Sequence, residues 1–347
     1  MPITTRAFAA PAARAPLEPF AFERRDPRPN DVVIDIAYCG VCHSDIHFVD
    51  NDLGGSRFPL VPGHEIAGVV AAVGSDVTRF KAGDRVGVGC LVNSCRHCVE
   101  CVQGEEQYCE NGSVGTYAST DVDGTMTQGG YSNHVTVDAD FVLRIPDSIP
   151  LDKAAPLLCA GITMWSPLKT WGVIKGTKVG VVGLGGLGHM AVKLAAALGA
   201  EVTVISTSDG KKADALAMGA TDFLVVKDAA AMRAARGRFN LILNSVSAPT
   251  EVNSQLALLA RDGTMVMLGL VTEPLQVGAL GLLTKRRSLA GSMIGGIRQT
   301  QEMLDFCAEH GISADIELIR PDQINEAYQR MAKSDVRYRF VIDMAAI

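Results

Sequence analysis

Between residue 31 and about residue 145 the apolar positions come in short runs: Val32 to Ala37, Ile66 to Val73, Arg85 to Val88 and Tyr131 to Val137. Gly, Asp and Pro separate them. Short runs rich in Val and Ile between turn residues are strand signals, so this stretch reads as an irregular all-β region. Near Pro146 to Pro150 the pattern changes, and from Lys178 onward apolar runs alternate with helical periods: KVGVVG, HMAVKLAAALGA, EVTVIS, KKADALAMGA. That alternation predicts βαβ units, a parallel sheet with helices on both faces. Further strands are expected at Phe223 to Val226, Phe239 to Asn244 and Thr264 to Leu268. The sheet then has about six strands, the number of a dinucleotide-binding domain.

Composition narrows the classes. A chain of 347 residues exceeds one ordinary core and predicts two domains. Hydrophobic residues make up 48% and the formal net charge is -6, which describes a soluble globular chain with no field to attract nucleic acid or an anionic membrane. The N-terminal segment MPITTRAFAAPAARAPLEPF lacks the continuous apolar core of an export signal, and no stretch is long and apolar enough to span a bilayer. The expected location is the cytoplasm, where nine cysteines point to metal or redox chemistry rather than disulfides.

Cys95, Cys98, Cys101 and Cys109 form the pattern C-x2-C-x2-C-x7-C in CRHCVECVQGEEQYC. Four thiolates this close complete a tetrahedral shell around Zn2+, a closed structural site whose metal supplies the folding energy of a loop with little apolar content. His97 inside the segment is read as a bystander, since four sulfurs fill the shell. A second set is dispersed: Cys42 in CGVCHSDIH, His64 and Glu65 in PGHE, and Cys159 in LLCAGIT. Three such ligands leave a fourth position open, as a catalytic zinc needs, but the spacing alone does not join them. Cys39, Cys90 and Cys307 are read as core residues.

CGVCHSDIH, VPGHEIAGVV, the four-cysteine segment, QGGYSNH, LLCAGIT, VGLGGLGHMAVK and VRYRFVID follow one another as in the medium-chain zinc alcohol dehydrogenases. The chain resembles that family nearly end to end. APLLCAGIT, GGYSNH and DVRYRFVID bring it nearest to the cinnamyl alcohol dehydrogenase branch with its bacterial broad-specificity NADPH aldehyde reductases. The resemblance implies a GroES-like irregular β catalytic domain (1–153 and 297–347) and a Rossmann NADP(H)-binding domain (154–296) with a six-stranded parallel sheet. It implies that Cys42, His64 and Cys159 hold the catalytic zinc with Glu65 close behind. It implies as well that Asp45 orients His64 and that Ser44 and His47 relay the proton. It also puts His43 beside the cofactor phosphates.

For the cofactor, KVGVV runs into Gly183, Gly185 and Gly188, with Gly186 and Leu187 between, and then into a helix. This G-x-G-x-x-G turn between strand and helix suits a pyrophosphate. About 20 residues on, an NAD site carries an acidic residue for the ribose 2′-hydroxyl. Ser206 stands there instead, followed by Thr207 and Ser208, with Lys211 and Lys212 near. Hydroxyls and ammonium charge favour a 2′-phosphate, hence NADP(H). Asp209 is expected to cap the next helix.

The predicted activity is interconversion of primary alcohols and aldehydes, aromatic or medium aliphatic, by hydride transfer, with aldehyde reduction the expected direction. The partner is a small molecule. Leu53, where close relatives usually carry tryptophan, and Trp165 are candidate pocket residues. The alternatives are a polyol-type dehydrogenase of the same fold and a non-catalytic NADPH-binding protein. The resemblance further implies a homodimer formed through edge strands near Leu280 to Gly291.

Overall fold

The computed structural model describes residues 3–248, 251–271 and 273–347. These form two compact units, 1–162 with 295–347, and 163–294. The segment 154–162, expected with the cofactor domain, belongs to the first unit, and Cys159 therefore shares a unit with Cys42 and His64.

The first unit is built on a seven-stranded sheet. Its order is Ile316–Ile319, Arg339–Asp343, Asp31–Gly40, Ile66–Val73, Arg85–Val88 and Leu143–Arg144, and His134–Asp138 pairs with Asp31–Gly40. Val32, Val33, Ile34 and Ile36 of the central strand are buried, as are Ile66, Ala67 and Val70 opposite. The C-terminal strand returns to this sheet antiparallel, pairing Val341 with Gly40 and Ile342 with Cys39. On the other side of the central strand Cys39 pairs with Ile66. Residues 39–42, 64–66 and 339–342 thus converge although the last segment lies more than 270 positions along the chain from the other two.

The second unit carries a six-stranded sheet in the order Asp222–Val225, Glu201–Ser206, Lys178–Val182, Phe239–Asn244, Leu259–Met267 and Ser288–Gly291. Every pairing is parallel. Parallel strands covered on both faces need apolar side chains on both, hence KVGVV with Val179, Val181 and Val182 all buried. One core packs Val182, Ile205, Leu224, Phe239, Ile242 and Leu256 together. The strand expected from Thr264 begins five residues earlier, at Leu259. Of its extra residues Leu259 and Gly263 are buried, but the exposed Arg261 and Asp262 interrupt the apolar run, so the pattern does not mark them as strand. No helix among the described residues is long and apolar enough to cross a membrane.

Candidate metal and cofactor sites

Cys42 ends the turn after the Asp31–Gly40 strand and begins the helix His43–Asp50. His64 and Glu65 occupy the loop that enters Ile66–Val73, and Cys159 sits between the 3-10 turn Ala155–Leu158 and the helix Ala160–Thr170. The loop reaches His64 through Gly63 at φ +103°, where a Cβ would lie 2.6 Å from the Tyr131 ring. Only glycine fits that approach.

One donor atom each from Cys42, His64, Glu65 and Cys159 lies within 4.8 Å of all the others, and all four residues are buried. The Cys42 and Cys159 sulfurs are 3.8 Å apart and not joined by a disulfide. Two sulfurs at about 2.3 Å from a tetrahedral Zn2+ stand about 3.8 Å apart. His64 Nε2 and Glu65 Oε2 are buried without a hydrogen-bond partner. Buried polar atoms are normally satisfied, so two such atoms beside two reduced thiols fit a metal. Cys42 is the more acidic thiol: Cys159 donates to it, and His64 and Arg339 add positive field against the cost of burial.

Asp45 is fully buried behind the set and binds it together. It accepts from the backbone N–H of Cys42 at 2.8 Å and of Gly63 at 3.1 Å, and from the Tyr131 hydroxyl at 3.0 Å. Its Oδ1 lies 3.5 Å from His64 Nδ1, which turns Nε2 toward the thiols' side of the site. Ser44 and His47 follow on the same helix three residues apart, on one face. Ser44 Oγ is 3.6 Å from Cys42 Sγ. His47 Nδ1 is 3.0 Å from an Asp52 carboxylate oxygen, and His47 Nε2 is buried without a partner.

Glu65 also pairs with Arg339, and both are buried. Burial pushes the Glu65 carboxyl well above its ordinary range, with Arg339 the strongest opposing influence. Removing one member of such a pair leaves an uncompensated buried charge. Arg339→Leu is therefore expected to destabilise the fold by about 3 kcal/mol in urea denaturation, and adding Glu65→Gln to recover part of that. Equal loss in the single and double variants would refute the pairing argument.

In the lobe, donor atoms of Cys95, Cys98, Cys101 and Cys109 also lie within 4.8 Å of one another. The N–H groups of Cys95 and Cys98 point at the sulfurs of Cys109 (3.5 Å) and Cys95 (3.4 Å). Bonds from Asn111 and nearby backbone lower the Cys95 thiol to about 5, whereas burial raises Cys101 to about 12. Cys98, Cys101 and Cys109 pack with Cys95 into a small cluster of their own, so the core of the lobe is its sulfurs. Four sulfurs without disulfides or an apolar core fit a closed zinc site. His97 is exposed.

In the second unit the strand Lys178–Val182 turns at Gly183, φ +87°, into the helix Gly188–Ala197. A Cβ on Gly188 would lie 2.0 Å from the Gly183 carbonyl oxygen, while one on Gly185 meets nothing within 4 Å. Glycine at 188 thus lets helix and strand pack, and the space at Gly185 leaves the turn open to a pyrophosphate. Ser206 closes the neighbouring strand half-buried, and Thr207 and Ser208 are exposed. Lys211 Nζ donates to the Leu184 carbonyl at 2.9 Å, which draws the ammonium to the glycine turn. The cap expected of Asp209 is not formed: Lys211 is the N-cap of Lys212–Ala217 and no side chain caps it.

Leu53 lies in the turn after the His43–Asp50 helix and is 49% exposed, whereas Trp165 is 1% exposed with the Lys169 ammonium 5.4 Å from its ring centre. Sequence reasoning missed Arg339 and Tyr131 as supports of the site, although both stand in quoted motifs. It also misplaced Cys90. Cys39 and Cys307 are fully buried core residues, but Cys90 is half-buried, its sulfur 4.0 Å from the Leu158 carbonyl oxygen.

Residues 28–147 match the alcohol dehydrogenase GroES-like domain, and residues 186–309 match the zinc-binding dehydrogenase domain. The chain is 57% identical to an NADP-dependent alcohol dehydrogenase C of Mycobacterium tuberculosis over 99% of both chains. It superposes on a cinnamyl alcohol dehydrogenase of Sorghum bicolor with a TM-score of 0.96 and 48% identity, covering 99% of this chain and 98% of that one. A cinnamyl alcohol dehydrogenase of Helicobacter pylori, solved with NADP(H), gives a TM-score of 0.93 and 41% identity over 99% of each chain. The two matched domains, the full-length identity and the shared fold together place this chain in the zinc-dependent medium-chain alcohol dehydrogenases, on their cinnamyl alcohol dehydrogenase-like branch.

Proposed function

We propose that this protein is a zinc-dependent, NADP(H)-linked dehydrogenase that interconverts primary alcohols and aldehydes, working chiefly as an aldehyde reductase. The observation that carries the reading is the buried set Cys42, His64, Glu65 and Cys159, with two reduced thiols 3.8 Å apart and an unsatisfied His64 Nε2.

Cys42, His64 and Cys159 hold the catalytic zinc, and Cys95, Cys98, Cys101 and Cys109 a structural one. When bound, zinc supplies Lewis acidity toward the substrate oxygen, and NADP(H) supplies or accepts the hydride. The chain does the rest. Asp45 fixes the ring of His64 and the backbone on both sides of it. Glu65, tied to Arg339, keeps a carboxylate oxygen toward the ligand set. Ser44 takes a proton from, or gives one to, the reacting oxygen, and His47, whose buried Nε2 faces inward, passes it between the site and solvent. The free Nε2 and the Asp52 bond at Nδ1 support that outer role.

Gly183, Gly185, Gly186, Leu187 and Gly188 receive the pyrophosphate, and Ser206, Thr207 and Ser208 the 2′-phosphate, with Lys211 adding positive charge beside the turn. Leu53 is assigned to the substrate pocket, where an aliphatic side chain in place of an indole suits a range of aldehydes. Trp165 is assigned there from sequence, although its burial also suits a core role.

The active form is proposed to be a cytoplasmic homodimer. Supporting this, Ser288–Gly291 ends its sheet with one neighbour, Leu280 and Leu283 beside it are 71% and 75% exposed, and all nine cysteines are free of disulfides.

The test follows oxidation of NADPH and of NADH with aromatic and aliphatic aldehydes, before and after chelation. Expected are turnover with NADPH, weak turnover with NADH, about two zinc per chain before chelation, and loss of activity after it. Zinc-replete protein that binds NADPH yet reduces no aldehyde would sink the reading.

A further inference from the structure

His189 is a fully buried imidazole in the first turn of the helix Gly188–Ala197, among the buried apolar residues Met190, Ala191 and Val192. Its Nδ1 lies 2.8 Å from the Gly186 carbonyl oxygen, which can only accept, so Nδ1 carries the proton and donates it. Its backbone N–H donates to the Gly185 carbonyl at 3.0 Å. The carbonyls on either side are engaged as well: Leu184 accepts from Lys211 Nζ at 2.9 Å, and Leu187 from the Ala191 N–H at 3.1 Å. Four consecutive carbonyls of the glycine turn thus have donors within the chain, and His189 supplies two of them.

We infer that His189 is a positioning residue for the cofactor's pyrophosphate: it holds the Gly186–Leu187 peptide so that the N–H, and not the oxygen, is offered to the phosphates. This inference rests on the NADP(H) reading of the turn given above. A trans peptide is planar with its C=O and N–H on opposite sides, so fixing the Gly186 oxygen against His189 aims the Leu187 N–H the other way. An anion is held by N–H groups at a helix N-terminus and repelled by a carbonyl dipole turned toward it. Glycine has the softest backbone torsions, so the peptides flanking Gly185 and Gly186 flip most easily. Packing does not restrain them at Gly185, where a Cβ would meet nothing within 4 Å. The side-chain bond from His189 is the restraint on the next peptide. A leucine at 189 would fill the same core and leave the Gly186 oxygen without that donor.

Two probes titrated into the whole protein test this without recourse to turnover. NADPH is followed by its fluorescence, and adenosine 2′-monophosphate, which carries the 2′-phosphate but no pyrophosphate, by calorimetry. Wild type is compared with His189→Leu, which has no donor, and with His189→Asn, whose amide N–H stands as far along the side chain as Nδ1–H. Should His189→Leu not fold by circular dichroism, His189→Met, flexible and equally without a donor, takes its place. The expected result is that His189→Leu raises the Kd for NADPH about tenfold and leaves that for adenosine 2′-monophosphate unchanged, while His189→Asn recovers most of the loss. If His189→Leu leaves NADPH binding unchanged, or weakens both ligands alike, His189 is a packing residue and the inference falls with the NADP(H) reading intact. It falls equally if His189→Asn binds NADPH no better than His189→Leu. If wild type binds neither ligand, the NADP(H) reading fails together with the inference.

Discussion

Cys159→Ala lowers aldehyde reduction by roughly 10^3- to 10^4-fold while leaving the chain folded and able to bind NADPH. The size follows from what the residue does. A Lewis acid at the reacting oxygen is worth several kcal/mol, and about 1.4 kcal/mol is a factor of ten in rate. With Cys159 gone, Cys42 loses the thiol that stabilises its charge and the set loses one of its two close sulfurs. Zinc content should fall from about two per chain to about one, because the four-cysteine lobe is a separate closed set. NADPH binding should persist because the glycine turn at 183–188 lies in the other compact unit. Three readings check it together: metal content, NADPH fluorescence on binding, and kcat/KM. Retention of both metals and of wild-type turnover would remove Cys159 from the catalytic site.

Which of these features the amino-acid sequence makes legible depends on distance along the chain. The lobe is legible because fifteen consecutive residues hold four cysteines, and a local cluster implies a local site. The glycine turn is legible for the same reason, with its strand before and its helix after. The catalytic set is not. Cys42 and Cys159 are 117 residues apart, so in the sequence only resemblance to a family joins them, and in space the folded sheet does. Arg339 meets Glu65 across 274 residues because the final strand pairs beside Cys39, and nothing local at either position announces that pairing. Cys90 is misread for another reason: an isolated cysteine after an apolar strand has the sequence signature of a core residue, and its partial exposure depends on how closely Gly89 packs on Leu158. Asp209 has the right residue type for a cap, but the helix begins later, at Lys212, so its side chain stands outside capping register.

Ser206→Asp should reverse the cofactor preference. Ser206 ends the Glu201–Ser206 strand, next to the glycine turn that terminates the neighbouring Lys178–Val182 strand. A carboxylate there faces the 2′-phosphate of NADPH, which carries between one and two negative charges at neutral pH. At a half-buried position the repulsion is screened by water, so about 2–3 kcal/mol is expected, roughly a 10^2-fold rise in KM for NADPH. Toward NADH the same carboxylate accepts a hydrogen bond from the ribose 2′-hydroxyl, lowering that KM by about tenfold. The zinc ligands are untouched, so kcat with saturating NADPH should stay near wild type, which separates a cofactor effect from a chemical one. Raising the salt concentration should weaken the NADPH penalty but not the NADH gain, because only the first is a repulsion between charges. A variant whose KM for NADPH is unchanged would show that the 2′-phosphate is not held at Ser206, and the discrimination would then have to come from Thr207, Ser208 or the lysines that follow.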